Sequence, residues 1–108
     1  MSKRTEQVAS LLRTEINNIL LRDFEAPLGT LMSISQVEVS PDLKNATAYV
    51  SIIPSNHIGS GLEKIKKFGP HVQKIIGQQL RMKSTPKIVW KLDERDLKYG
   101  AIDEALNN

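Results

Sequence analysis

Cysteine is absent from the 108-residue chain. That excludes disulfides, thiolate catalysis and zinc-ribbon sites together, and it fits a reducing compartment. No apolar run approaches the roughly 18 residues of a membrane span. The opening "MSKRTEQVASLL" also lacks the continuous apolar core of a signal peptide. A soluble, cytoplasmic, non-membrane protein is the expectation. The two histidines, His57 and His71, stand far apart with no metal-ligand spacing around them. Gly59-Ser60-Gly61 is neither a phosphate-binding loop nor a nucleophile elbow. "DERD", from Asp93 to Asp96, sets carboxylates in a polar junction, where a solvated turn is expected. These absences together leave no enzyme, no metal, no cofactor and no small-molecule substrate.

Aromatic side chains are also scarce: Phe24, Tyr49, Phe68, Trp90 and Tyr99 are the complete set. Proteins that stack RNA bases on a sheet need several exposed together. Only Tyr49 is a candidate for an open sheet face, with cover over an edge of the core as its alternative, whereas Trp90 is in phase with Ile88 and Leu92 and is expected in the core. Any nucleic acid such a chain bound would therefore be met through its shape and phosphates, with little base readout.

The most telling absence is of acids. From Lys64 to Lys91 there is no Asp or Glu, while Lys64, Lys66, Lys67, Lys74, Arg81, Lys83, Lys87 and Lys91 are all basic. The stretch that follows, "DERDLKYGAIDEALNN", is net acidic. This asymmetry within a formal net charge of +3 implies a polyanion-binding face with an acidic tail leading away from it. A solvated lysine face gives the same composition, and an acidic protein is the alternative partner.

What is present divides cleanly. Val8, Leu11, Leu12, Ile16, Ile19 and Leu20 recur at helical spacing. Thr5 is placed to cap that helix, and Glu6 suits its first turn. Pro27 and Gly29 then punctuate a loop. "LMSISQVEV" (Leu31 to Val39) reads as a strand whose apolar phase switches, Met32 and Ile34 pointing one way and Val37 and Val39 the other. That predicts a bulge or an edge position. "SPDLKN" is a turn, and "ATAYVSII" alternates with Ala46, Ala48, Val50 and Ile52 on one face. Together the two strands predict an antiparallel hairpin.

A second apolar stripe, Leu62, Ile65, Val72, Ile75, Ile76 and Leu80, runs through "KIKKFGPHVQKIIGQQLRMK". Gly69 is suited to end one helix in the left-handed region and Pro70 to begin another, so a kink is expected there. Helix running through Pro70 would cost about 3 kcal/mol. The new helix start would expose backbone amides near Pro70 to Val72 as an anion site. Lys64, Lys67, Lys74, Gln78 and Arg81 point away from the apolar stripe, with Lys83 at the helix end. His71, beside the kink, is either a phosphate contact or a plain surface residue. "KIVWKL" (Lys87 to Leu92) is a third strand, and a short helix is expected near Ile102 to Leu106. The long connection from second to third strand suits a crossover between parallel strands.

The expected architecture is α+β, in the order α-β-β-α-kink-α-β, with a three-stranded mixed sheet and helices on one face. That order resembles a type II KH domain, although the G-x-x-G loop of such domains is missing. Two patches sharpen the resemblance. "VEVSPDLKNATAYVS", with Val39, Ser40, Asp42, Leu43, Ala46, Tyr49, Val50 and Ser51, resembles the diagnostic stretch of the ribosome-binding factor A family. "LRMKSTPKIVW" is similar to that family's helix-to-strand passage, here at Arg81, Pro86, Ile88 and Trp90. The stretches "RTEQVASLLRTEINNIL" and "LKYGAIDEAL" agree with its two ends.

The resemblance implies a monomeric, noncatalytic KH-like domain that binds the small ribosomal subunit and its rRNA during late maturation. The family carries an alanine-x-glycine kink where this chain has Phe68-Gly69-Pro70. Residues 1–92 are expected to form the RNA-binding domain and 93–108 an acidic tail. The expected RNA-binding residues are Lys64, Lys67, Gly69, Pro70, His71, Lys74, Gln78, Arg81 and Lys83.

Overall fold

In the computed structural model, residues 3–80 and 84–94 are described. The expected tail, including the helix near Ile102 to Leu106, therefore lies outside the described residues apart from Asp93 and Glu94.

The first apolar stripe forms α1, Lys3–Asp23, which buries Leu12, Ile16, Ile19 and Leu20. Thr5 does not cap it: the described helix already includes Lys3, and Thr5 is buried in the first turn. The loop after α1 closes in a type II turn. Thr30 N–H donates to the Pro27 carbonyl at 3.0 Å, and Gly29 takes a φ of 78°. That turn places a residue at about +80° in its third position, which glycine adopts without strain.

Strands β1, Leu31–Val39, and β2, Asn45–Ile53, pair antiparallel. Ile34 faces Val50 and Gln36 faces Tyr49, so Ser35 is an inserted residue. This bulge resolves the phase switch, because it returns Ile34, Val37 and Val39 to one buried face. In the connecting turn, Leu43 has a φ of 61°. A local network holds it: Ser40 Oγ donates to Asp42 Oδ1 at 2.6 Å, and Leu43 N–H donates to the Ser40 carbonyl at 2.9 Å. Lys44 N–H donates to the same Asp42 oxygen at 3.0 Å, and Asn45 N–H donates to Ser40 Oγ at 3.0 Å.

A short 3-10 turn over Ser55–His57 leads to α2, Ile58–Gln79, and then to β3, Lys87–Leu92. β3 lies parallel to β2, which gives a mixed sheet in the order β1-β2-β3. One face of β2, Ala46, Ala48, Val50 and Ile52, is buried beneath the helices together with Ile88 and Trp90 of β3. No helix of the described residues is long and apolar enough to cross a membrane.

The expected break at Gly69-Pro70 does not occur. α2 is one helix with Pro70 inside it, and Gly69 is not left-handed. Val72 and Ile76, beyond the proline, continue the buried line of Ile65 at 0% exposure. Burying two such side chains contributes about 3–6 kcal/mol, enough to offset the interior proline. Gly69 has a different reason to be glycine. A Cβ there would stand 2.6 Å from Trp90 Nε1, so the missing side chain lets α2 close onto β3.

Two primary amides tie the helices to the outer strands of the sheet. Asn17 of α1 donates through Nδ2 to the Ile34 carbonyl at 3.1 Å and accepts from Ile34 N–H at 2.8 Å. Gln73 of α2 donates to the Pro86 carbonyl at 2.9 Å and accepts from Ile88 N–H at 2.9 Å. Backbone groups that have no strand beside them are thereby satisfied.

Replacing either amide with leucine leaves two backbone groups at a sheet edge unpartnered. Asn17→Leu and Gln73→Leu are each expected to lose about 1–3 kcal/mol of unfolding free energy by urea titration. Gly69→Ala is expected to lose about 1–3 kcal/mol by overpacking against Trp90. Gly77→Ala, whose Cβ meets only Thr85 Oγ1 at 3.6 Å, should instead gain up to about 1 kcal/mol.

Candidate nucleic-acid interface

The inner line of α2 (Gly61, Ile65, Gly69, Val72 and Ile76) fixes where every other side chain of the helix points. Lys67 and Lys74 sit two turns apart on the outermost row, both exposed. Lys64, His71 and Gln78 form an adjacent exposed row on the side of α1. Pro70 is exposed between the lysines.

Six of the expected site residues are thus gathered on one surface. Gly69 is not among them, because it is buried against Trp90. The continuous helix also opens no fresh N-terminus at Pro70, so the expected cluster of free amides is not formed. Pro70 still lacks an N–H, so it cannot satisfy the carbonyl of Lys66. Arg81 and Lys83 lie outside the described residues.

The acid-free stretch has an acid at its border that the sequence reading passed over. Glu63 lies one turn before Lys67, with Oε1 3.5 Å from Nζ. Both side chains are more than two-thirds exposed, at 78% for Lys67 and 71% for Glu63. Such a pair contributes little and does not immobilise the lysine. Helical spacing alone would have revealed it.

On the α1 side, His71 Nε2 is 2.9 Å from Asp23 Oδ2, and Arg22 Nε donates to Asp23 Oδ1 at 3.1 Å. Asp23 ends α1, where the helix dipole disfavours an acid. The hydrogen bond from Arg22, and then that from His71, holds its carboxyl below the usual carboxylate range. Phe24 and Phe68 meet at 5.1 Å between ring centroids, and Phe68 and His71 at 4.9 Å. Lys64 Nζ lies 5.9 Å above the Phe24 ring. Sequence reasoning missed this aromatic group because Phe24 belongs to the loop after α1 and Phe68 to the middle of α2.

On the β3 side, a cleft of about 300 Å³ runs between α2 and the strand, walled by Pro70 and Trp90 and flanked by Lys66 and Lys87. The opposite sheet face carries Lys87 and Lys91, both exposed. Tyr49, the aromatic expected on that face, is half-buried there and donates its hydroxyl to Glu38 Oε2 at 3.2 Å. Partial burial, and then this bond, push the phenol upward from its ordinary pKa. Trp90 is buried, as expected.

Comparison with known proteins points one way. A sequence model of ribosome-binding factor A matches residues 4–106. A ribosome-binding factor A of Akkermansia muciniphila is 34% identical over 94 residues, covering 87% of this chain and 74% of its relative. One from Halothermothrix orenii is 32% identical over 106 residues, covering 96% and 86%. The crystal structure of ribosome-binding factor A from Thermus thermophilus superposes with a TM-score of 0.70 at 14% identity, covering 82% of this chain and 94% of that one. A homology model of the Thermus thermophilus factor, fitted into an electron-microscopy map of its complex with the 30S particle, gives 0.61 at 17% identity, covering 88% and 97%.

An aspartate whose native pKa is lowered adds stability above its ordinary pKa and loses it as pH falls through the lowered value. Carbon-detected NMR titration is therefore expected to place the Asp23 midpoint below that of a free aspartate. In Arg22→Gln the midpoint should move back up, because the first cause of the depression is gone.

Proposed function

The chain belongs to the ribosome-binding factor A family, and from that premise we propose that it is a noncatalytic, cytoplasmic assembly factor. It binds the small ribosomal subunit as a monomer and contacts its rRNA during late maturation, when precursor rRNA is processed. Residues 1–92 are the RNA-binding domain in this reading, and 93–108 are an acidic tail whose first residue, Asp93, is buried and accepts a hydrogen bond from Ser35 Oγ at 2.6 Å.

The observation that carries the reading is the pair of exposed rows on α2, Lys67 with Lys74 and Lys64 with His71 and Gln78. Glu63 is the sole acid in the whole helix. Such a surface suits phosphate, which recruits cations through long-range attraction and counterion release. Extended side chains on a rigid helix follow a folded RNA surface without reading base edges. Lys66 and Lys87 continue the positive surface around Pro70 toward β3. The fold likeness to a factor fitted into a 30S complex supports the same partner.

The double reversal Lys67→Glu/Lys74→Glu is expected to preserve the thermal midpoint, since both side chains are exposed. It should weaken co-sedimentation with purified small subunits at least about tenfold at moderate salt. Wild-type association should fall steeply as salt rises. Undiminished association of the variant would remove α2 from the interface. Binding that survives nuclease treatment would point instead to an acidic protein partner.

A further inference from the structure

We propose that an unpaired RNA base stacks on the ring cluster of Phe24, Phe68 and His71, with Lys64 meeting its phosphate. This rests on the RNA-binding reading of α2 but assigns a distinct place and a distinct chemistry. The outer lysine rows offer charge without a flat surface. The seam between the end of α1 and α2 offers both.

Three π systems meet there, Phe24 to Phe68 at 5.1 Å and Phe68 to His71 at 4.9 Å, within the range of favourable aromatic contacts. The two phenylalanines are half-buried, which holds the group rigidly. His71 is the member that faces solvent, with 46% of its side chain exposed. Asp23 grips its Nε2 at 2.9 Å, so the ring is oriented before any ligand arrives. Packing of α1 onto α2 would be served by the two phenylalanines alone. The rings are tilted, Phe24 to Phe68 by 60° and Phe68 to His71 by 44°, so the flat surface that a base requires is the exposed imidazole backed by the two phenylalanines.

The charges around the cluster favour a nucleotide. Lys64 Nζ stands 5.9 Å over the Phe24 ring, and Arg22 is exposed at the end of α1. The acid at the seam, Asp23, is already engaged by Arg22 and His71. Lys64 and His71 occupy the helix row beside Lys67 and Lys74. An RNA backbone following the lysines therefore passes next to the rings and can deliver one unpaired base to them. Base identity is weakly read in such a site, because every base has a π face.

Ultraviolet crosslinking of the full chain tests this, using purified small subunits and, in parallel, oligouridylate. Nucleotide adducts are expected on the peptides that carry Phe24, Phe68 or His71. In H71Q the amide still donates to Asp23 but the ring is gone. That variant should keep its thermal midpoint, lose the adduct and bind oligouridylate about tenfold more weakly, the effect of one lost stack. Association without adducts at the cluster, or oligouridylate binding by H71Q equal to wild type, would overturn this inference alone. So would crosslinks from the cluster to a ribosomal protein. Failure of the wild-type chain to bind small subunits at all would overturn the RNA-binding reading together with it.

Discussion

The contact between Gly69 and the Trp90 indole sets the arrangement of the molecule. With no side chain at that position, α2 approaches β3 closely enough that a methyl group would collide with Nε1 at 2.6 Å. Once that seam is closed, the rotation of α2 about its axis is fixed. Ile65, Val72 and Ile76 turn to the sheet, and Lys67 and Lys74 turn to solvent. The same rotation brings Phe68 to Phe24 and His71 to Asp23, tying the end of α1 to the middle of α2. The proposed RNA surface is the outer consequence of an inner packing contact.

Two amides complete the scaffold from either side of the sheet. Asn17 occupies the backbone groups of Ile34 on β1, and Gln73 occupies those of Pro86 and Ile88 at β3. Each helix is thus keyed by a directional bond as well as by apolar burial, which is non-directional. Both positions were visible in the sequence as uncharged polar residues beside an apolar stripe, at Ile16-Asn17 and Val72-Gln73. Their partners were not visible, because they lie on strands placed by the whole fold.

The fold was legible because each element announces itself locally. β2 and β3 follow the alternation of their own residues, and the phase switch in "LMSISQVEV" predicted a bulge or an edge position, where the structure inserts Ser35. The site was legible only in part. Lys64, Lys67, Pro70, His71, Lys74 and Gln78 do share a surface. Gly69 was assigned to that surface by a rule about chain bending, yet what governs it is a neighbour in β3. The aromatic group at the seam was not visible, since its members come from two separate segments.

The sequence by itself determined the three strands, the apolar stripes of the helices and the sign of the charge on α2. Those properties depend on neighbouring residues and on the repeat of a helix or strand. Tertiary structure alone decided that α2 runs through Pro70, since only burial of Val72 and Ile76 in the assembled core can offset an interior proline. It also decided which rings meet, that Asp23 lies against His71, and what keeps Gly69 glycine. Each of these is a distance between segments remote along the chain, and such distances exist only once helices and sheet are packed.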